Sequence, residues 1–582
     1  MKNHKIIYLI FFPIILALVL TTFGGGTSST QAAEGNCYQV FLPMTIGSGG
    51  GAIEPGPASP EAMNNCQVPG GGAFADFNGD GYADLAIGSP YESVSFNGGN
   101  VAEAGAVNVL YGSASGLSTA GNQIWHRGMA NLYRDPEPFD HFGHSLAVGD
   151  FDDDGYDDLA IGVPNSTAWP PVDKAGVVQV LYGSSAGLTA DRDEVWGQGI
   201  TGIPGDVEAN DRFGFALTTG DYNYDGYSDL AVGVIGEKVN GISEAGGINV
   251  IYGTGSGLSS SNSHLITQAL IGAGLAPETL DWLGYALTSG DFDNDGIDDL
   301  AAGVPYEDIN IAGGPYDNAG AVQIFYGAGY GLVDTITNSV EASVWHADSN
   351  GYVGGALEDN DAFGASVAAA DFNGDGYDDL AVGIPRETHG AGAGSIADAG
   401  AINIFYGSSN GLNATAAWPS PIWHQDSPDI LDEPEAFEWF GYSLTAADFN
   451  NDGYADLAIG VPWEEYNLGE DVGAVSIMYG TSVGLTAANN ALLFQGTLLV
   501  DHNDQFGYTL TADDFDNDGY ADLAIGAPND TPDAVLNTGS VAVRYSDGNG
   551  VPGSSGQQLW HQGSPGLIGS PESGERFGGS LP

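Results

Sequence analysis

One acidic pattern governs what this chain can become. Asp76-Phe-Asn-Gly-Asp-Gly-Tyr-Ala-Asp84-Leu85 recurs, with variations, from Asp150, Asp221, Asp291, Asp371, Asp448 and Asp514, at an average spacing of about 73 residues. Seven copies in a chain of 582 residues mean that one structural unit is built seven times. The fold must therefore seat seven equivalent units.

Each unit carries the same further features. An apolar run closed by Gly follows the acidic loop, as in Leu85-Ala-Ile-Gly88 and Leu457-Ala-Ile-Gly460, usually with Pro within two residues. After an insert of variable length comes a β-rich segment ending in Tyr-Gly, such as Ala106 to Gly112 and Ala401 to Gly407. A last segment is often centred on Trp, at Trp125, Trp196, Trp345, Trp423 and Trp560. Four short strands per unit, frequent Gly turns and no helical periodicity predict an all-β fold: a seven-bladed β-propeller of four-stranded antiparallel blades, with a solenoid as runner-up.

The two ends bear on closure. A Phe-Gly pair precedes the loops at Phe142, Phe213, Phe363, Phe440 and Phe506, with Leu283-Gly284 in a variant copy. The first copy, Pro69 to Asp76, lacks the pair, whereas the chain finishes with Phe577-Gly578-Gly579-Ser580-Leu581-Pro582. The C-terminal strand is thus expected to complete the innermost strand of blade one, the alternative being a chain cut inside an eighth repeat.

The acidic loop predicts a calcium site. Calcium takes six to eight oxygens, and a tight loop supplies them from alternate side chains and one carbonyl, with Gly at position 6 for the turn. Positions 1, 3, 5 and 9 are Asp76, Asn78, Asp80 and Asp84; Asp150, Asp152, Asp154 and Asp158; Asp221, Asn223, Asp225 and Asp229; Asp291, Asp293, Asp295 and Asp299. The remaining loops supply Asp371, Asn373, Asp375 and Asp379; Asp448, Asn450, Asp452 and Asp456; Asp514, Asp516, Asp518 and Asp522. The position 7 carbonyl belongs to Tyr82, Tyr156, Tyr227, Ile297, Tyr377, Tyr454 and Tyr520. An EF-hand would carry Glu at position 12, where Ile87 stands, so position 9 is expected to close the shell of up to seven Ca²⁺. Magnesium suits the loop less, because it keeps its waters and takes fewer protein ligands.

Phe-Gly before the loop, Asp-x-Asp-x-Asp-Gly-x-x-Asp-Leu within it and Gly-x-Pro after it (Gly162 to Pro164, Gly303 to Pro305, Gly383 to Pro385, Gly526 to Pro528) resemble the FG-GAP repeats of integrin α-subunit propellers. The resemblance spans about residues 71–582. It implies seven blades, calcium in loops on one face and ligands on the opposite face. No further integrin domain follows, so integrin signalling is not carried over.

Charge and the N-terminus speak to compartment. Lys2 and Lys5 precede an apolar run from Ile6 to Leu20, and Thr30-Gln31-Ala32-Ala33 follows, which is the layout of a secretory signal peptide over 1–33. A membrane anchor needs about 20 apolar residues, more than this run offers. Residues 34–70 form a Gly/Pro-rich segment holding Cys37 and Cys66, the only cysteines, which can pair in an oxidising compartment or stay free. With 76 acids against 11 bases, the chain repels phosphate, which excludes unaided binding to nucleic acid or anionic membranes. The 42% of hydrophobic residues argue against disorder.

Little else points to chemistry, and no residue is assigned a catalytic role. His126, His346, His424 and His561 each follow a repeated Trp and read as structural, while His141, His144, His264, His389 and His502 have no clear partner. Glu92, Glu307, Glu387 and Glu464 follow the Gly-x-Pro turn, as structural hydrogen-bonding groups or as ligand contacts. Three functions compete: a secreted calcium-binding adhesion module for protein or glycan, a polysaccharide-active hydrolase or lyase, and a structural surface component. A cluster of acids and His in a pocket of one blade alone would favour the enzyme.

Overall fold

The computed structural model describes residues 75–582 apart from 130–131, 168–170, 272–274, 312–313, 334–340, 348, 350–356, 391–394, 414–421, 466–471, 496–502, 533–534, 548 and 552–556. The expected signal peptide over 1–33, the segment 34–70 with Cys37 and Cys66, and Phe74 lie outside the described residues.

Seven antiparallel sheets, the blades, follow one another along the chain with neighbouring strands paired in chain order, and two small hairpins, Val94–Phe96 with Gly99–Val101 and Ile309–Ile311 with Gly314–Tyr316, are inserted in blades 1 and 4. Blade 2, for example, runs Leu146–Gly149, Asp158–Val163, Val177–Tyr182 and Thr189–Trp196. The second strand of every blade is buried along its whole length, as in Asp158–Val163 and Asp456–Val461. Neighbouring blades cover both of its faces, so its sequence is a continuous apolar run rather than an alternating one. Outer strands such as Ser118–Trp125 are covered on one side and mix exposed with buried positions. The repeated Trp125 and Trp345 are buried in the blade cores, as their recurrence predicts.

The Phe-Gly pair is the joint between blades. The Phe142 amide donates to Ala104 O of the preceding blade at 2.9 Å, and Phe213, Phe440 and Phe506 repeat the bond to Ala175, Ala399 and Val472 at 2.9 to 3.0 Å. The glycine of Gly-x-Pro explains itself here. A Cβ on Gly162 would stand 2.1 Å from Ser145 Oγ and 2.3 Å from the carbonyl of Gly214 in the next blade, so no side chain fits.

Closure follows the expectation, in reduced form. Blade 1 has three full strands, Leu85–Ser89, Ala106–Tyr111 and Ser118–Trp125, and its fourth position is a single antiparallel bridge between Gly88 and Ser580. Gly88 N donates to Ser580 O at 3.0 Å and Gly578 N to Gly88 O at 3.1 Å. Phe577 N donates to Thr538 O at 2.8 Å, the joint seen between all other blades, and its ring packs in one cluster with Leu85, Ile87 and Leu110.

A second ring of acids lies inside the joints. Three residues before each Phe-Gly segment's carboxylate, a backbone N–H caps it: Glu137 N to Asp140, Glu208 N to Asp211, Glu358 N to Asp361 and Glu572 N to Glu575, at 2.5 to 2.8 Å. Opposite stands the acid that follows Gly-x-Pro, held by a Gln amide from the preceding blade: Gln562 to Glu92 at 2.9 Å, Gln198 to Glu237 at 2.5 Å, Gln268 to Glu307 at 2.6 Å, Gln425 to Glu464 at 3.0 Å. Glu92, Glu307 and Glu464 are therefore structural hydrogen-bonding groups, and Glu387 is buried in the same place with Ala347 where the Gln would be. Burial is the main cause that pushes Glu237, Asp211 and Asp361 up to about 7. The joint between blades 1 and 2 departs furthest, because it brings in a base. There, Arg127 replaces the Gln and Ser166 the Glu, with Arg127 Nη1 2.6 Å from Ser166 Oγ and 3.3 Å from Asp140 Oδ2.

Candidate metal centres

All seven acidic loops adopt one geometry. The position 1 carboxylate accepts the amides of positions 5 and 6, in the first loop Asp80 N to Asp76 Oδ1 at 3.0 Å and Gly81 N to Asp76 Oδ2 at 2.8 Å. Position 5 accepts the amide of position 7, as Tyr82 N to Asp80 Oδ1 at 3.2 Å and Ile297 N to Asp295 Oδ1 at 3.0 Å. Both bonds recur at Asp150 and Asp154, Asp221 and Asp225, Asp371 and Asp375, Asp448 and Asp452, and Asp514 and Asp518. These bonds wind the loop so that alternate side chains converge.

Position 9 does a second job that the spacing did not reveal. Asp84 is fully buried; its Oδ2 accepts Phe77 N at 3.0 Å and its Oδ1 accepts Gly112 N at 2.9 Å, where Gly112 ends the third strand. Asp158, Asp229, Asp299, Asp379, Asp456 and Asp522 repeat the bond to the third strand, to Gly183, Gly253, Gly327, Gly407, Gly480 and Ser546, at 2.8 to 2.9 Å. One N–H per oxygen leaves lone pairs free, so the carboxylate can anchor the loop and still face an ion. Burial pushes Asp84, Asp379 and Asp522 up to about 9 and Asp158, Asp229, Asp299 and Asp456 up to about 8.

The donor set fits a divalent cation. Asp150, Asp152 and Asp158, then Asp291, Asp293 and Asp295, then Asp514, Asp516 and Asp522 each bring one carboxylate oxygen within 4.8 Å of the others. The position 3 oxygens Asp152 Oδ1, Asp293 Oδ1, Asp516 Oδ1 and Asn373 Oδ1 are buried with no hydrogen-bond partner. A buried orphan oxygen is costly unless something positive meets it. In three Asn loops the side-chain amide turns to position 9 instead, Asn223 to Asp229 at 3.1 Å, Asn373 to Asp379 at 3.1 Å and Asn450 to Asp456 at 3.3 Å. Arg192 Nη1 stands 2.6 Å from Asp152 Oδ2, leaving Oδ1 for the loop.

The opposite face is built from strained backbone. The residue before each Phe-Gly segment is held at positive φ: His141, Arg212, Trp282, Ala362, Trp439, Gln505 and Arg576, at 57° to 61°. Two residues earlier the same is true of Phe139, Leu280 and Phe437, at 67° to 76°, and these apolar side chains are exposed. Glycine or asparagine would adopt this conformation at less cost. Aromatic rings gather around them: Trp282 lies 4.9 Å from Tyr306, Trp439 4.4 Å from Trp463, Tyr442 5.1 Å from Tyr508, and Arg576 sits 4.7 Å over Tyr91. The resemblance pointed to this face for ligands, but sequence reading did not single out these residues.

Residues 69–110, 142–181, 283–325, 363–397, 440–478 and 506–543 match the FG-GAP repeat family. The chain is an FG-GAP repeat protein. Blade 3 lies outside those matches, yet its loop, joint and four strands follow the same plan. Integrin alpha-8 of Gallus gallus is 30% identical over 259 residues, covering 44% of this FG-GAP chain and 21% of that protein. Phosphatidylinositol-glycan-specific phospholipase D of Bos taurus is 32% identical over 241 residues, covering 41% and 25%. The FG-GAP chain thus spans about a fifth to a quarter of these relatives. A rhamnogalacturonan lyase of Bacillus licheniformis aligns with 68% of this chain and 66% of its own at 13% identity and a TM-score of 0.32, too low to carry an argument.

Proposed function

We propose that this FG-GAP propeller is a secreted, calcium-loaded binding module that holds an extracellular protein or glycan on the face opposite its acidic loops. The carrying observation is that face: bulky residues, Phe139, Leu280, Phe437, Trp282 and Trp439, occupy positive-φ positions where glycine is easier. Strain retained with a large exposed side chain argues for a use of that side chain. Aromatic rings with half-exposed faces suit sugar rings and apolar protein side chains alike. The resemblance to integrin α-subunits supports an extracellular setting, and among the described residues no helix is long and apolar enough to cross a membrane.

Calcium is assigned a scaffolding role. Positions 1, 3, 5 and 9 of each loop would hold it, with the position 7 carbonyl, and the ion would neutralise carboxylates packed too closely to be charged together. Binding to protein and glycan arrays, with calcium and with chelator, tests the reading. Trp439→Ala combined with Trp463→Ala should abolish any partner bound at this face; full retention would sink it.

The enzyme reading meets one observation in its favour. A cavity of about 300 Å³ at the rim of blade 4 gathers Glu278, Glu307, Asp308 and His346. Burial and the neighbouring Asp308 carboxyl hold Glu278 above the usual carboxylate range, which marks the two acids as close neighbours. Glycoside hydrolysis needs its two carboxyls about 5 Å or more apart, and a crowded pair is a poor match to that requirement.

A further inference from the structure

The cavity beside blade 4 has a counterpart one blade earlier, and the comparison says what it takes. In blade 3, Glu208 stands three residues before Asp211, and Lys238 follows the joint acid Glu237; Lys238 Nζ lies 2.5 Å from Glu208 Oε1. Blade 4 repeats the frame. Glu278 N donates to Asp281 Oδ2 at 2.5 Å and Gln268 Nε2 to Glu307 Oε2 at 2.6 Å, as Glu208 and Gln198 do in blade 3. The position of Lys238 is taken by Asp308. Where blade 3 pairs a carboxylate with its own ammonium, blade 4 sets Glu278 against Asp308, with Asp281 and Glu307 behind them, and opens a cavity of about 300 Å³.

We infer that this cavity is a binding site for a primary alkylammonium group, of the kind carried by a lysine side chain or a small free amine. Lys238, whose Nζ meets Glu208 Oε1 at the surface, shows that this position accommodates an ammonium on a four-carbon stem beside the joint acids. In blade 4 the stem has side chains to lie against, Leu275, Ile309, Ile311 and Val344, within a lining that is otherwise mostly polar. Amphipathic cations favour places where apolar side chains flank acids. Asp308 Oδ1 is fixed by Asn318 N at 2.7 Å, which holds the carboxylate at the cavity edge. Glu307 is 2% exposed, and burial together with Asp281 pushes it up to about 9, the direction expected where acids crowd without a cation. His346 completes the lining. The site is independent of the aromatic face, so either can fail without the other.

Calorimetric titration of the calcium-saturated full chain with n-butylamine and with Nα-acetyl-lysine methylamide tests the inference, Nα,Nε-diacetyl-lysine methylamide serving as the control without charge. Saturable binding of at least one amine and at least ten-fold weaker binding of the acetylated control are expected. A blocked lysine held ten-fold more tightly than butylamine assigns the site to a partner's lysine, and the reverse order assigns it to a free amine. Asp308→Lys installs the residue that blade 3 already carries, so it should fold with an unchanged or higher Tm and lose the binding at least ten-fold; Glu278→Gln should weaken it. No saturable heat with either amine, equal binding of the acetylated control, or undiminished binding by Asp308→Lys overturns the site.

Discussion

The backbone amide of Asp157 donates to the carbonyl of Asp76 at 3.2 Å while its carboxylate accepts the amide of Asp76 at 2.9 Å. The first and second acidic loops are therefore clipped together by a reciprocal pair of bonds. Asp298 with Asp221 and Asp378 with Asp291 make the same clip, so neighbouring loops are mechanically continuous. Asp157→Ala should cost about 1 to 3 kcal/mol in urea unfolding, the cost of stranding a buried amide. It should also lower ion affinity in two loops, visible as two weakened sites in a calcium titration.

Removing calcium should lower stability sharply. Each ion held at a hundred times its Kd contributes about 2.7 kcal/mol, so several loops together exceed the margin of an ordinary domain. Scanning calorimetry with and without chelator is the check, and an unchanged Tm would contradict the metal assignment. Asp293→Ala should remove about one ion per chain from the stoichiometry measured by elemental analysis.

The buried joint acids should give stability a pH dependence of definite sign. Glu237 and Asp211 titrate near 7 in the folded chain, raised by burial, against about 4 when unfolded. A raised carboxyl contributes stability that is fully present below the unfolded value and is lost as pH climbs through the folded one. Between pH 5 and pH 8 the ring should weaken, and Glu237→Gln should recover about 1 to 3 kcal/mol at pH 8 and flatten the curve. Denaturant midpoints at the two pH values decide this.

Two backbone substitutions should act in opposite directions. Ala362→Gly relieves a positive φ of 60° at the cost of one buried methyl, so the net gain should stay below about 1 kcal/mol. Gly162→Ala places a methyl 2.3 Å from the carbonyl of Gly214 and should cost about 3 kcal/mol or more. Chemical unfolding of both variants measures the contrast.

The blade count, the acidic loops and the source of blade 1's closing segment were legible because each repeats in sequence or is conspicuously missing from one copy. Asp84 as an anchor for Gly112 was not, since its partner lies 28 residues away across a variable insert. The joint acids were half legible: Glu92, Glu307 and Glu464 stood out, but the Gln that holds Glu92 is 470 residues distant. The strained aromatic face was hidden for another reason. Its residues differ from blade to blade, and only the shared backbone conformation makes them a set.

The odd joint of Arg127, Asp140 and Ser166 bears on fidelity in a chain of near-copies. Seven similar units invite misassembly, in which a blade docks on one further along and a ring of the wrong number closes. At most joints the groups are alike enough to tolerate such an exchange. Arg127 is not: out of order, its guanidinium would lose Ser166, and a Gln in its place would leave Asp140 without a counter-charge. This keyed joint gives blades 1 and 2 a mutual preference, and so a starting point from which the remaining blades can be counted.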